Sequence, residues 1–71
     1  MSDWIETPES SNVARFRYIE ADRVLSVEFK SGATYNYYDV PEVVFEQMSA
    51  AGSKGEVLDQ NVKGVYRYAR V

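Results

Sequence analysis

The stretch VLSVEFKSGATYNY, residues 24–37, carries the clearest structural signal in this 71-residue chain. Apolar and polar residues alternate on both sides of Lys30, Ser31 and Gly32, a pattern that indicates two strands joined by a tight turn. A type I turn over Lys30 and Ser31, followed by a left-handed glycine, gives a three-residue hairpin loop. The stretch therefore predicts an antiparallel hairpin with Gly32 at a positive φ angle.

The hydrophobic pattern also fixes the register of this hairpin. A three-residue loop places Val27 opposite Tyr35 and Leu25 opposite Tyr37, so both tyrosines share a face with the apolar residues. A shift of one residue would expose the tyrosines and bury Asn36 instead. The predicted pairing therefore puts both rings on the inner face of the sheet.

Residues 13–20 alternate in the same way and predict a strand that precedes the hairpin. A turn at Ala21-Asp22 sets Tyr18 opposite Leu25. Ala14, Phe16 and Tyr18 then lie on the apolar face. The opposite, polar face is predicted to hold Arg15, Arg17, Ser26, Glu28, Asn36 and Tyr38.

The second half of the chain changes to a helical period at Pro41, a residue suited to a first helical turn. We expect one helix to run from there to Gly52, and a second, capped by Ser53, to extend to about Gln60. Residues 65–71 alternate again and predict a closing strand. The fold class is α+β, with order β-β-β-α-α-β and two short helices packed on one face of an antiparallel sheet. The sequence does not determine which edge of the sheet the closing strand joins.

The chain is too short for two hydrophobic cores, so residues 10–71 are expected to form a single domain. Residues 1–9 carry Asp3, Glu6 and Glu9 without a basic residue, and we expect a flexible acidic arm there. The core is predicted to contain Phe16, Tyr18, Leu25, Val27, Phe29, Tyr35, Tyr37, Val44, Met48 and Leu58.

The composition argues against catalysis and against metal binding. The chain has neither cysteine nor histidine, so it lacks thiolate and imidazole ligands and a base to activate its serines. We expect no enzymatic activity, no metal and no small-molecule cofactor. No segment is apolar enough to span a membrane, and the amino terminus has no signal-peptide pattern, so a cytoplasmic location without membrane partners is expected.

Several short motifs together resemble the KTSC domain family. They are Ser10-Ser11-Asn12-Val13, Leu25-x-Val27-x-Phe29, Ser31-Gly32, Tyr35-x-Tyr37, Val40-Pro41, Ala51-x-Ser53-Lys54-Gly55 and Tyr66-x-Tyr68. The resemblance covers residues 10–71 and implies a small module that occurs alone in bacteria and phages or at the carboxyl end of some lysyl-tRNA synthetases. That context suggests RNA as a partner. Val57-Leu58-Asp59 departs from the family, which usually has two aromatic residues and an asparagine there.

The composition and the family resemblance together support two classes of function for the chain. In the first, it binds nucleic acid, with RNA favoured, because basic residues are concentrated near its carboxyl end. The candidate contacts are Lys54, Gly55, Lys63, Arg67 and Arg70, with Arg15, Arg17 and Tyr38 as a second patch. In the second, it is a protein-interaction module that docks on a larger protein, which its net charge of −3 favours.

The sequence Gly52-Ser53-Lys54-Gly55 also has the G-x-x-G form with which KH domains clamp a nucleic-acid backbone. Glycines permit close approach, and a helix amino terminus attracts phosphate. The same residues equally suit an ordinary turn, in which Gly52 ends one helix and Ser53 caps the next. The sequence does not distinguish a nucleic-acid clamp from an ordinary turn between two helices.

Overall fold

Five antiparallel strands form one sheet whose spatial order follows the order of the chain, β1-β2-β3-β4-β5. This arrangement comes from a computed structural model that describes residues 4–7, 10–50 and 54–71. Within those residues the elements are β1 (Ile5–Glu6), β2 (Val13–Ile19), β3 (Val24–Phe29), β4 (Thr34–Tyr37), α1 (Glu42–Ala50), α2 (Lys54–Asn61) and β5 (Tyr68–Arg70). The α+β class is confirmed, and the observed order has one strand more than the sequence predicts.

The hairpin of β3 and β4 has the predicted register. Val27 pairs with Tyr35, and Leu25 pairs with Tyr37. Gly32 adopts a φ angle of 97°, which residues with a side chain rarely adopt. Its amide donates to the carbonyl of Phe29 at 2.9 Å and so closes the turn. The glycine and the alternation around it are therefore sufficient to specify this part of the sheet.

Strand β2 pairs with β3 as predicted from Arg15 onward, but it contains an irregularity just before that residue. Val13 lies opposite Phe29 and Arg15 lies opposite Glu28, so Ala14 is an extra residue in β2. A bulge of this kind reverses which side chains face inward. Val13 is consequently buried, whereas the prediction had placed Ala14 on the apolar face.

The amino-terminal segment contributes an edge strand where a flexible arm was predicted over residues 1–9. Ile5 pairs with Phe16, and Glu6 pairs with Arg15. Thr7 is fully buried, and its hydroxyl donates to the carbonyl of Val13 at 2.6 Å. Residues 4–7 are therefore part of the fold, because β2 offers them free hydrogen-bonding groups along its outer edge. Residues 1–3 and 8–9 lie outside the described residues.

Helices α1 and α2 cover the apolar face of the sheet, and one hydrophobic core lies between the two layers. Of the ten residues predicted for the core, eight are buried: Phe16, Tyr18, Leu25, Val27, Tyr37, Val44, Met48 and Leu58. Phe29 and Tyr35 are only half-buried and pack against the edge of this core. Val13, Val24, Val40 and Val62 are buried in addition.

The closing strand joins the free edge of β4 and is shorter than the predicted 65–71. Tyr68 pairs with Tyr37, and Arg70 pairs with Tyr35. The chain reaches this edge through a turn after α2 in which Gly64 has a φ angle of 78°. Gly52 and Ser53, predicted to end one helix and cap the next, lie outside the described residues. Neither of the described helices has the length and apolar composition needed to cross a membrane.

Candidate binding cleft

A cleft of about 670 Å³ opens on the helix side of the sheet, beyond the end of α2. Four aromatic rings line it, from Phe29, Tyr35, Tyr37 and Tyr68. The remaining lining residues are Ser11, Asn12, Lys30, Ser31, Ala33, Lys63 and Gly64. Three strands and three loops therefore meet here, and none of the described lining residues is acidic.

The four rings form a continuous row because their strands are adjacent. Tyr35 lies edge-on to Phe29, with 5.6 Å between the ring centroids, and edge-on to Tyr68 at 5.7 Å. Tyr68 also contacts Tyr37 at 5.7 Å. Tyr37 is 3% exposed, whereas Tyr68 is 59% exposed, so the row includes both a core ring and a surface ring. A planar ligand in the cleft would meet ring faces and edges along this row.

Positive charge lies at the rim of the cleft. The Lys63 amine lies 4.8 Å from the centroid of the Phe29 ring, a distance suited to a cation–π interaction. Lys30 enters the rim from the hairpin turn, and its amine donates to the carbonyl of Ser10. Arg70 is paired with Tyr35 across β4 and β5, so it lies on the same face of the sheet as the cleft. The cleft therefore combines apolar walls with cations.

The loop that contributes Ser11 and Asn12 is held by its own hydrogen bonds and by α2. The Ser10 hydroxyl donates to Asn12 Oδ1 at 3.1 Å and accepts from the amide of Val13 at 3.1 Å. Gly55 is buried, and a Cβ atom placed on it would lie 2.4 Å from Asn12 Oδ1. Gly55 therefore lacks a side chain so that this loop can pack closely, which is a structural role distinct from the phosphate contact hypothesised for it.

The opposite face of the sheet carries no helix among the described residues and is polar. Arg15 forms a salt bridge with Glu28 at 2.9 Å. Trp4 lies over both arginines of β2, with its ring centroid 4.5 Å from the guanidinium carbon of Arg15 and 4.7 Å from that of Arg17. The indole thus covers the part of this face that the sequence suggested as a second binding patch.

The predicted carboxyl-terminal cluster of basic residues is divided between the two faces. Arg67 lies on the polar face, 5.9 Å from the ring centroid of Tyr38 and 3.6 Å from Asp39 Oδ2. Lys63 and Arg70 belong to the cleft side, and Lys54 is the first residue of α2. Arg67 therefore joins the patch of Arg15, Arg17 and Tyr38.

Sequence reasoning missed the aromatic walls and Lys30 as parts of one site. The sequence predicts Phe29 and Tyr35 in the core and Lys30 in the hairpin turn. Their common location depends on β5 joining β4, which brings Tyr68 beside Tyr35. The one available signal was the placement of Tyr35, Tyr37 and Tyr68 on matching faces of their strands.

Most residues of the cleft lining are those that carry the family resemblance, including Ser11, Asn12, Ser31 and three tyrosines. A family model of the KTSC domain matches residues 9–71. The chain belongs to the KTSC domain family. A crystal structure of a KTSC domain protein from Yersinia pestis has the same fold, with a TM-score of 0.92 and 27% identity, over 100% of this chain and 99% of that one.

Two kinds of relatives share this KTSC domain. A lysine–tRNA ligase of Trichormus variabilis is 36% identical over 64 residues, which is 90% of this chain but 11% of the ligase. The chain thus spans about a tenth of the ligases that it matches. A protein of Tsukamurella paurometabola is 41% identical over 59 residues, which cover 83% of this chain and 88% of that protein. The domain therefore also occurs in proteins that contain little else.

Proposed function

We propose that this KTSC domain binds single-stranded RNA in the cleft. The observation that carries the proposal is the row of four aromatic rings with Lys30 and Lys63 at the rim and no acidic residue among the described residues of the lining. Unpaired bases stack on aromatic side chains, and nearby cations attract the phosphates between them. The cleft offers both groups within one concave surface.

The arrangement of the rings suits a base better than a peptide side chain. Tyr68 is largely exposed and lies on β5 at the edge of the sheet, where an incoming base can stack on it. Tyr35 lies one strand further in, and its ring forms a T-shaped contact with the ring of Tyr68. Lys63 and Arg70 flank these rings on the helix side and at the sheet edge, respectively. A single nucleotide placed on Tyr68 would thus have its phosphates beside cations.

The choice of RNA rests on the relatives. The lysine–tRNA ligases that contain a matching segment are named for an RNA substrate, and an appended module that holds RNA would serve such an enzyme. The net charge of −3 does not oppose local binding, because Asp3, Glu6 and Glu9 account for the excess, and none of the described residues that line the cleft is acidic. Binding is therefore expected to be weak and sensitive to salt.

A titration of isotope-labelled protein with a short oligouridine, followed by NMR at low and moderate salt, tests the proposal. We expect amide shifts concentrated at the cleft, in Ser11–Asn12, Lys30–Tyr37 and Lys63–Tyr68. Lys63→Gln removes a cation from the cleft rim and should weaken binding several-fold. It should also reduce the steepness of the plot of log affinity against log salt concentration by about 0.7. Arg67→Gln removes the same charge from the polar face and is the matched control.

The outcomes separate the two function classes. Equal losses in Lys63→Gln and Arg67→Gln, or shifts confined to Arg15, Arg17 and Tyr38, would place binding on the polar face and overturn the cleft assignment. An absence of shifts at low salt, where charge attraction is strongest, would overturn RNA binding itself. The protein-interaction alternative, in which the domain docks on a larger protein, would then take precedence.

A further inference from the structure

Strand β5 is the last strand of the sheet, and half of its backbone groups point away from β4. The amide of Val71 donates to Thr34, and the carbonyl of Arg67 accepts from Tyr38. In an antiparallel ladder the residues between such bonded positions direct their N–H and C=O groups to the other side. Tyr68 and Arg70 therefore present a hydrogen-bonding edge to solvent, and both side chains are exposed.

We propose that this edge pairs with the β5 edge of a second copy of the chain, about a two-fold axis at Ala69. Antiparallel pairing centred on Ala69 sets Tyr68 opposite Arg70 of the second copy, and Arg70 opposite its Tyr68. The two outward-facing residues of each strand then exchange hydrogen bonds, and each arginine lies beside a tyrosine ring. A cation beside an aromatic ring is a favourable cross-strand neighbour. The edge is thus complementary to itself.

The same register also accounts for exposed apolar surface near the carboxyl end. Val71, which is 69% exposed, falls opposite Arg67 of the second copy on the other face of the sheet. The aliphatic part of an arginine covers an apolar side chain while its guanidinium stays in water. Tyr68, which is 59% exposed, gains Arg70 of the second copy as a cross-strand neighbour on the cleft side. A strand of different sequence would lack this match, which favours a second copy over an unrelated strand.

This pairing would continue the sheet through ten strands and place the two clefts beside each other. Tyr68 and Arg70 lie on the cleft side of β5, so each cleft would gain these residues from its neighbour at the shared edge. The inference rests on backbone directions and register, and it stands whether or not the cleft binds RNA.

Disulfide trapping tests the register directly, because the natural chain has no cysteine. Ala69 would face its counterpart in a non-hydrogen-bonded pair, where the Cα atoms lie about 4.5 Å apart, within disulfide range. Ala69→Cys should form a linked dimer in a glutathione redox buffer. Glu46→Cys, at an exposed position of α1, is the control and should remain largely monomeric. Equal linkage in the two variants would overturn the proposed register.

A proline substitution tests the pairing without a crosslink. Arg70→Pro removes an amide that faces away from β4, so the monomer keeps its own ladder while the second copy loses a donor. Arg70→Gln keeps that amide and removes the same charge. Sedimentation should show that Arg70→Pro associates at least tenfold more weakly than Arg70→Gln. Equal association of the two variants, or a wild-type chain that stays monomeric at NMR concentrations, would overturn the dimer. The oligouridine titration of Lys63→Gln, a change outside β5, reports on RNA binding independently.

Discussion

Two clusters of aromatic rings lie on the same face of the sheet, and they differ in whether a helix covers them. The closed cluster consists of Phe16, Tyr18 and Phe45, with ring centroids 5.7 and 5.3 Å apart. The open cluster is the row of rings in the cleft, at spacings of 5.6 and 5.7 Å. Similar ring contacts thus serve a core at one end of the sheet and a candidate binding surface at the other.

The difference arises from the helices and not from the strands. Helix α1 contributes Phe45 to the closed cluster and buries Val44 and Met48 beside it. Helix α2 ends at Asn61, and the turn that follows places only Lys63 and Gly64 at the rim of the open cluster. Alternation in a strand therefore determines which face a tyrosine occupies, but the length and position of a helix determine whether that tyrosine is accessible.

Removal of a ring from the closed cluster should have the largest effect on stability. Phe16 is fully buried and contacts the ring of Phe45 edge-on. Phe16→Ala should lower the free energy of unfolding by about 3–5 kcal/mol, measured by urea denaturation. Because this loss can unfold a small domain, Phe16→Leu is the second variant, with an expected loss of about 1 kcal/mol. A loss below 1 kcal/mol in the alanine variant would show that the closed cluster is not part of the core.

A smaller effect is expected from the hydroxyl of Tyr18. This buried hydroxyl donates to the carbonyl of Val40 at 2.6 Å. Tyr18→Phe leaves that carbonyl unsatisfied and should cost about 1–3 kcal/mol in the same urea assay. Unchanged stability would mean that water replaces the lost donor.

The same hydroxyl predicts a dependence on alkaline pH. Burial raises the pKa of Tyr18, the nearby Glu42 and Glu20 add to this, and Arg23 opposes it. A folded-state pKa above the unfolded value of about 10 means that the native state holds this proton more tightly. The contribution of this tighter proton binding to the free energy of unfolding is complete below about pH 10, and it is lost as the pH rises through the folded-state pKa. The stability difference between wild type and Tyr18→Phe should therefore narrow above pH 10, and a constant difference would contradict this.

The smallest effect on stability should come from the open cluster. Tyr68 is exposed, so Tyr68→Ala should lower the free energy of unfolding by about 0.5 kcal/mol or less. The same change should weaken oligouridine binding by about 1–3 kcal/mol, because it removes the stacking surface. Tyr68→Phe keeps the ring and should retain binding. If Tyr68→Ala lowers the free energy of unfolding but not the affinity for oligouridine, then Tyr68 is a core residue and the two clusters do not differ as proposed.

The sequence is sufficient for the central part of the fold, where alternation and a turn residue agree. Gly32 and the residues around it specify the β3–β4 register, and Tyr18 and Leu25 extend it to β2. The bulge at Ala14 is not predictable in the same way, because it changes the inward face without a glycine to mark it. Strand β1 was also missed, since two residues are too few for a recognisable period.

The candidate site is less predictable than the fold because it depends on long-range neighbours. Lys63, Arg67 and Arg70 are close in sequence, yet Arg67 points to the face opposite the other two. Strand alternation accounts for the separation of Arg67 from Arg70, whereas Lys63 lies in the turn after α2. Only the pairing of β5 with β4 shows which rings accompany each cation. A cluster of basic residues in a sequence therefore predicts net charge, and strand order determines the surface that carries it.

The position of Trp4 gives the protein an intrinsic optical reporter at the edge remote from the cleft. It is the single tryptophan of the chain, and two guanidinium groups lie close to its indole on the polar face. Its emission should therefore respond to fraying of β1 while remaining insensitive to a ligand held among the tyrosines of β4 and β5, three and four strands away. Fluorescence excited at the red edge of the indole band can thus follow the fraying of β1 while a ligand occupies the cleft near β5.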